Sequence, residues 1–70
     1  MKESVDFSSS NLESGTYDPD EQVLTITFQS GGTYEYTNVP QAIWEGLRKA
    51  SSPGGYFHRS IKLRFNGEQL

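Results

Sequence analysis

Alternation of apolar and polar residues across a glycine turn constrains this chain more than any other feature. Over Gln22–Gln29, Leu24, Ile26 and Phe28 alternate with Thr25, Thr27 and Gln29, the two-residue period of a β-strand. Ser30–Gly31–Gly32 follows as a hairpin connection, because glycine reaches positive φ without steric cost. Thr33–Thr37 then carries Tyr34 and Tyr36 on one face, and so short a loop makes the two strands antiparallel. Directly opposed residues share a face, so the loop length sets where the tyrosines point. A two-residue turn places them opposite the Leu24–Ile26–Phe28 face. A three-residue loop ending in Gly places them on that same face. The other face then holds Val23, Thr25, Thr27, Gln29, Thr33, Glu35 and Thr37, which is almost wholly polar. A one-residue slip would invert every side chain, so the cleaner pattern is the expected one. Tyr34 and Tyr36 are therefore predicted to be largely buried on a helix-covered face, with their hydroxyls at the rim or on a polar partner.

The flanking sequence supplies the covering elements. Ser8–Tyr17 is a weaker strand with Leu12 as its one strong apolar residue and Gly15 marking a bulge. Tyr17–Asp18–Pro19–Asp20 is a turn, with Asp at its first position and Pro presetting φ at its second. After Asn38, Val39–Pro40 opens a helix whose stripe is Val39, Ile43, Leu47 and Ala50, flanked by Trp44. Ser51–Ser52–Pro53 ends it, and Ser52 with Pro53 starts another, in which Phe57, Ile61 and Phe65 lie four apart on one face. Ile61–Phe65 also reads as a fourth strand, through the alternation of Ile61, Leu63 and Phe65; helix is expected through about Lys62. The fold class is thus α+β: a three-stranded antiparallel β-meander (about 9–17, 22–29 and 32–37), then two short helices near 40–50 and 53–62 packed on one face. The expected core is Leu24, Ile26, Phe28, Ile43, Leu47, Phe57 and Ile61. Residues 1–7 are expected to fray, 8–66 to form one domain, and 67–70 to be a C-terminal tail.

Seventy residues suffice for one domain, and without cysteine neither a disulfide nor a thiolate metal site can reinforce it. Met1–Lys2–Glu3 leads into acidic, Ser-rich sequence rather than an apolar leader, and no apolar run is long enough to cross a bilayer, so a cytoplasmic location with no membrane partner is expected. The net charge of −3 argues against a generic polyanion binder. The charges are segregated, however. Glu3–Glu45 holds eight acidic residues and no basic one, whereas Gly46–Gly67 holds Arg48, Lys49, Arg59, Lys62 and Arg64 and no acidic one.

The ordered set of motifs resembles the KTSC domain, a family named for its occurrence at the C-terminus of some lysyl-tRNA synthetases. The pieces are Ser9–Ser10–Asn11–Leu12, Tyr17–Asp18, Leu24-x-Ile26-x-Phe28, and Tyr34-x-Tyr36 as the central motif. Val39–Pro40, Ala50–Ser51–Ser52–Pro53–Gly54, and Tyr56–Phe57 leading to Ile61 complete the set. His58 departs from the pattern, standing where a polar residue such as Asn is expected. Tyr34, Tyr36, Val39, Pro40 and Phe57 stand at motif positions of that family, and a mainly structural role is expected for them. The resemblance implies occurrence as single-domain bacterial and phage-like proteins, and RNA as a partner through the synthetase context.

Candidate chemistry is sparse. One histidine and no cysteine give no catalytic constellation, so the chain is expected not to be an enzyme and to carry no cofactor or metal. Asp18, Asp20 and Glu21 could hold a weak Ca²⁺, against the plainer reading of a solvated turn. Ser51–Gly55 could cradle a phosphate, against the plainer reading of a capped helix connection. The candidate ligand or RNA site comprises Arg48, Lys49, Ser52, Gly54, His58, Arg59 and Lys62, since clustered cations without acids neutralise phosphates. The expected function is a small non-catalytic binding module for RNA, a nucleotide or another phosphate-bearing group. The alternative is a protein-interaction or regulatory module that docks through exposed aromatics near Trp44 and Tyr56.

Overall fold

The hairpin forms in the even register. Leu24 opposes Tyr36 and Ile26 opposes Tyr34, so both tyrosines share the apolar face of the sheet. The computed structural model describes residues 2–7 and 9–70; Met1 and Ser8, the first residues of the expected frayed segment and of the expected domain, lie outside the described residues. The strands are β1 (Glu3–Asp6), β2 (Leu12–Asp18), β3 (Val23–Phe28), β4 (Thr33–Tyr36) and β5 (Gly67–Gln69). Between β4 and β5 come α1 (Gln41–Lys49), α2 (Pro53–Phe57) and a π-helical turn (His58–Lys62) that continues α2. The sheet is antiparallel in the order β1-β2-β3-β4-β5. No helix among the described residues is long and apolar enough to span a membrane.

Among the described residues the sheet has five strands, not three. β1 falls in the segment expected to fray, and β5 in the segment expected to be a tail. Both are edge strands, held by backbone bonding rather than by an apolar face. Val5 is the one apolar residue of β1, and β5 reads Gly-Glu-Gln, exposed throughout. β2 begins at Leu12 rather than near residue 9, because Ser9–Asn11 form a turn in which the Ser9 Oγ accepts from the Asn11 and Leu12 amides at 3.2 and 3.3 Å. The bulge lies between Leu12 and Ser14, not at Gly15. Gly15 is regularly paired, and its lack of a side chain has another cause: a Cβ would stand 3.0 Å from the Phe7 ring and 3.3 Å from Trp44. The β3–β4 loop is Gln29–Ser30–Gly31, one residue earlier than expected, with Gly31 at φ 104°. The parity survives because the loop still has three residues.

Pro40 caps α1, and the helix stops at Lys49 with Ala50 extended. Its buried stripe is centred on Trp44 and Leu47, with Ile43 half-buried at its margin. Trp44 is the correction here: rather than flanking the stripe, it is 0% exposed, stacked on Tyr17 at 5.6 Å. Of the expected core, Leu24, Ile26, Leu47, Phe57 and Ile61 are buried, while Phe28 and Ile43 are half-buried. Phe7, Leu12, Tyr17, Tyr36, Val39 and Trp44 complete the buried cluster. Ile61–Phe65 is not a strand; the π-helical turn carries the chain through Lys62, which keeps Phe57 and Ile61 on the buried side.

Candidate functional site

Two turns and one helical segment frame a groove on the helix side of the sheet. The turn before β2 contributes Ser10 and Asn11, and the β3–β4 turn contributes Gln29 and Ser30. Opposite them stand Gly54 of α2 and His58 and Lys62 of the π-helical turn, over a floor of Leu12, Phe28 and Phe57. The cavity measures about 300 Å³, within the range of small-molecule sites. Among the described residues, no Asp or Glu lines it.

Local chemistry holds these walls in place. The Gln29 amide donates to the Asn11 carbonyl at 2.9 Å, and its Nε2 donates to the Ser9 carbonyl at 3.3 Å, so the two turns are clamped together. A Cβ on Gly54 would stand 3.3 Å from Asn11 Nδ2 and 3.4 Å from Ser9 Oγ. Glycine there lets α2 close on the first turn. In a turn closed by i→i+5 bonds, residues four apart project nearly in line. His58 and Lys62, four apart, both reach the groove.

The predicted site residues divide into those the fold gathers and those it does not. Gly54, His58 and Lys62 line the groove. Arg59 is exposed and outside the groove lining, its Nη1 3.2 Å from where a Cβ of Gly55 would stand. Ser52 is spent as the cap of α2, its Oγ accepting from the Gly55 amide at 3.4 Å. That bond supports the capped connection over the phosphate cradle, and α2 is only five residues long. Arg48 belongs to a different cluster. Its Nη2 donates to Glu45 Oε1 at 2.8 Å, and its Nη1 lies 3.8 Å from Glu3 Oε1. That hydrogen bond, before the charge of Arg48 itself, holds the Glu45 carboxyl below its ordinary range. Lys49 is exposed at the end of α1, away from the groove lining. At the acidic turn, Asp18 Oδ1 accepts from the Asp20 and Glu21 amides at 3.0 and 3.3 Å, as a solvated turn requires.

Of the motif residues, Tyr36 is 5% exposed, its ring against Phe57, and Tyr34 is half-buried, its ring against Phe28. Val39 is fully buried, accepting a hydrogen bond from the Tyr17 hydroxyl at 2.5 Å. The aromatics expected to be exposed for docking a protein are not so: Trp44 is enclosed, and Tyr56 lies half-buried over Gly46, where any Cβ would collide with its ring. Trp44 Nε1 is satisfied internally by Glu3 Oε1 at 3.2 Å.

Ser10, Asn11, Gln29 and Ser30 were not among the expected site residues. Their signal was in the Ser9–Leu12 motif and the glycine turn, read there as a strand start and a hairpin. Only the closure of α2 over both turns makes them neighbours of His58 and Lys62.

Comparison with known proteins bears on this arrangement. The KTSC domain model matches residues 8–65. A lysine–tRNA ligase of Nostoc sp. is 50% identical over 54 residues, covering 77% of this chain and 10% of the ligase; the chain thus spans about a tenth of the length of that relative. A protein of Tsukamurella paurometabola is 39% identical over 62 residues, covering 89% of this chain and 92% of its own. The crystal structure of a KTSC domain protein from Yersinia pestis superposes with a TM-score of 0.93 at 34% identity, covering 100% of this chain and 99% of that one.

Proposed function

The chain belongs to the KTSC domain family, and on that premise we propose that it is a small non-catalytic module that binds RNA through the groove beside His58, Arg59 and Lys62. The observation that carries the reading is the groove's composition. Its walls offer hydroxyl, amide, imidazole and ammonium groups, and no carboxylate opposes a phosphate there. Phosphate contacts of this kind position a nucleic acid without reading its bases, which suits a module with few specific donors. Relatives that include proteins named lysine–tRNA ligase favour RNA over other phosphate-bearing groups. The patch is smaller than the full run of cations, because Arg48 is held by Glu45 and Glu3. Binding is therefore weak and strongly salt-dependent.

A titration of the labelled protein with a short mixed-sequence RNA, followed by amide shifts at low and then physiological salt, tests this. Shifts should cluster at residues 10–11, 29–30, 54, 58–59 and 62 and fade as salt rises. Replacing both Arg59 and Lys62 with Glu should abolish binding while leaving the melting temperature nearly unchanged, since both side chains are exposed. Unchanged RNA affinity in that variant removes the groove from the reading, and no RNA affinity at low salt in the unaltered chain removes RNA.

A further inference from the structure

The polar groove does not end at Lys62. Phe28, Ser30, Phe57 and Lys62 are shared with a second lobe of about 300 Å³, walled by Tyr34 and Tyr36. Four rings run through it in series. Tyr34 meets Phe28 at 5.5 Å and 83°, Phe28 meets Phe57 at 5.4 Å and 76°, and Phe57 meets Tyr36 at 5.6 Å and 76°. Each contact is edge-to-face, the arrangement that aromatic quadrupoles favour. Phe28 and Tyr34 are half-buried and so retain accessible ring surface, while Tyr36 and Phe57 form the closed end.

We infer that the two lobes together take one nucleotide residue, with its phosphate among His58, Lys62 and the side-chain amide of Asn11, and its base against Phe28 and Tyr34. The inference rests on the phosphate reading above and adds the aromatic half. A cluster of rings often selects a cation, but the Lys62 ammonium at the junction repels one. A wholly apolar occupant would strip water from that ammonium and from the Ser30 hydroxyl without replacing their hydrogen bonds. A nucleotide answers both ends: its anion meets Lys62, and its flat base packs on rings while its polar edge reaches Ser30. A base stacked inside a duplex cannot enter such a recess, so the nucleotide must be single-stranded or free.

The full chain is titrated separately with inorganic phosphate, uridine, uridine 5′-monophosphate, a short single-stranded RNA and its duplex, with amide shifts as readout. Inorganic phosphate should move the amides of residues 11, 54, 58 and 62 only. The monophosphate should also move those of residues 28, 30 and 34, and bind about tenfold or more tightly than phosphate. Tyr34→Leu should remove that gain and leave phosphate binding unchanged. Ser30→Trp, at an exposed turn position between the lobes, should bring the ratio of monophosphate to phosphate affinity to about one by filling the aromatic lobe, and that ratio decides the matter if the tyrosine variant does not fold. Tighter binding of the single strand than of the monophosphate assigns an RNA chain, and equal binding a free nucleotide; either supports the bipartite groove. Monophosphate that binds no tighter than phosphate, or duplex that binds as well as single strand, overturns the base site and leaves the phosphate reading standing. Silence from every probe at low salt overturns both.

Discussion

The Tyr17 hydroxyl donates to the Val39 carbonyl across the interior, and its ring stacks on Trp44. One residue thus joins β2 to the entry of α1 and supports the indole that α1 packs inward. Tyr17→Phe keeps the ring but leaves the Val39 carbonyl without its donor, a loss of about 1–3 kcal/mol for a buried polar group. The same hydroxyl makes the fold alkali-sensitive. Burial first, then the negative charges of Glu3 and Asp18, raise the Tyr17 phenol above its ordinary 10.0. Burial, then Tyr34, raise Tyr36 in the same direction. The unfolded chain therefore releases these protons at a lower pH than the folded one. Their contribution to stability is complete below pH 10.0 and is lost as pH rises past it. In urea melts, Tyr17→Phe should be less stable than the unaltered chain at neutral pH, yet lose less stability between about pH 9 and 11. Parallel curves for the two proteins over that interval would show that Tyr17 is not the titrating group.

At the scale of elements, β5 poses a question the sequence could not answer. Gly67–Gln69 has no apolar residue, and nothing in its composition marks a strand. What admits it is Gly67, which opposes Tyr36 in the register. A Cβ there would stand 2.5–2.9 Å from three atoms of the Tyr36 ring and hydroxyl, and that ring is too enclosed to retreat. Gly67→Ala should therefore destabilise by about 1–3 kcal/mol, in the manner of overpacking, and should raise amide exchange along β4 and β5. Glu68→Ala is the control. It removes a like-charge pairing with Glu35 on the polar face and should be neutral or slightly stabilising. If the two variants melt alike, the close approach to Tyr36 does not hold β5 in place. The β3–β4 hairpin was legible because its parity is written in side chains: one register separates apolar from polar, and the other mixes them. α1 was legible as a helix, but its buried face was misjudged by one position, since the stripe of Val39, Ile43 and Leu47 ignored how much area Trp44 gains by burial. β1 and β5 were illegible because an edge strand is recruited by an open row of backbone groups, which any sequence presents. The groove was half legible. His58 and Lys62 stood out as cations on a helix, while Asn11 and Gln29 became partners only through the closure of two turns against Gly54.

Over the whole molecule, the segregation of charge along the chain becomes a partial segregation between faces, with Lys2 on the acidic side and Glu3 and Glu45 paired with Arg48 at α1. The polar face of the sheet carries Asp18, Glu21 and Glu35 around Thr16 and Thr25, with Lys2 as the cation among them and Glu68 beside Glu35. The groove with His58 and Lys62 opens on the helix side. The principal extents are 29 × 25 × 23 Å, so charges on opposite sides stand much more than one Debye length apart at physiological salt, where that length is about 8 Å. At about 0.01 M salt it grows to roughly 30 Å, and an anion in the groove then experiences the acidic face as well. This separates two classes of variant by salt alone. Replacing Glu35 and Glu68 together with Gln should tighten RNA binding at about 0.01 M and leave it unchanged at about 0.15 M. Lys62→Gln should weaken binding at both, and should flatten the slope of log affinity against log salt by about 0.7, the value for one phosphate contact on a single strand. Affinity measured by fluorescence anisotropy across a salt series distinguishes the cases. A gain from the Glu35 and Glu68 variant that persists at 0.15 M, with Lys62→Gln silent, would put the RNA on the open sheet face and take it away from the groove.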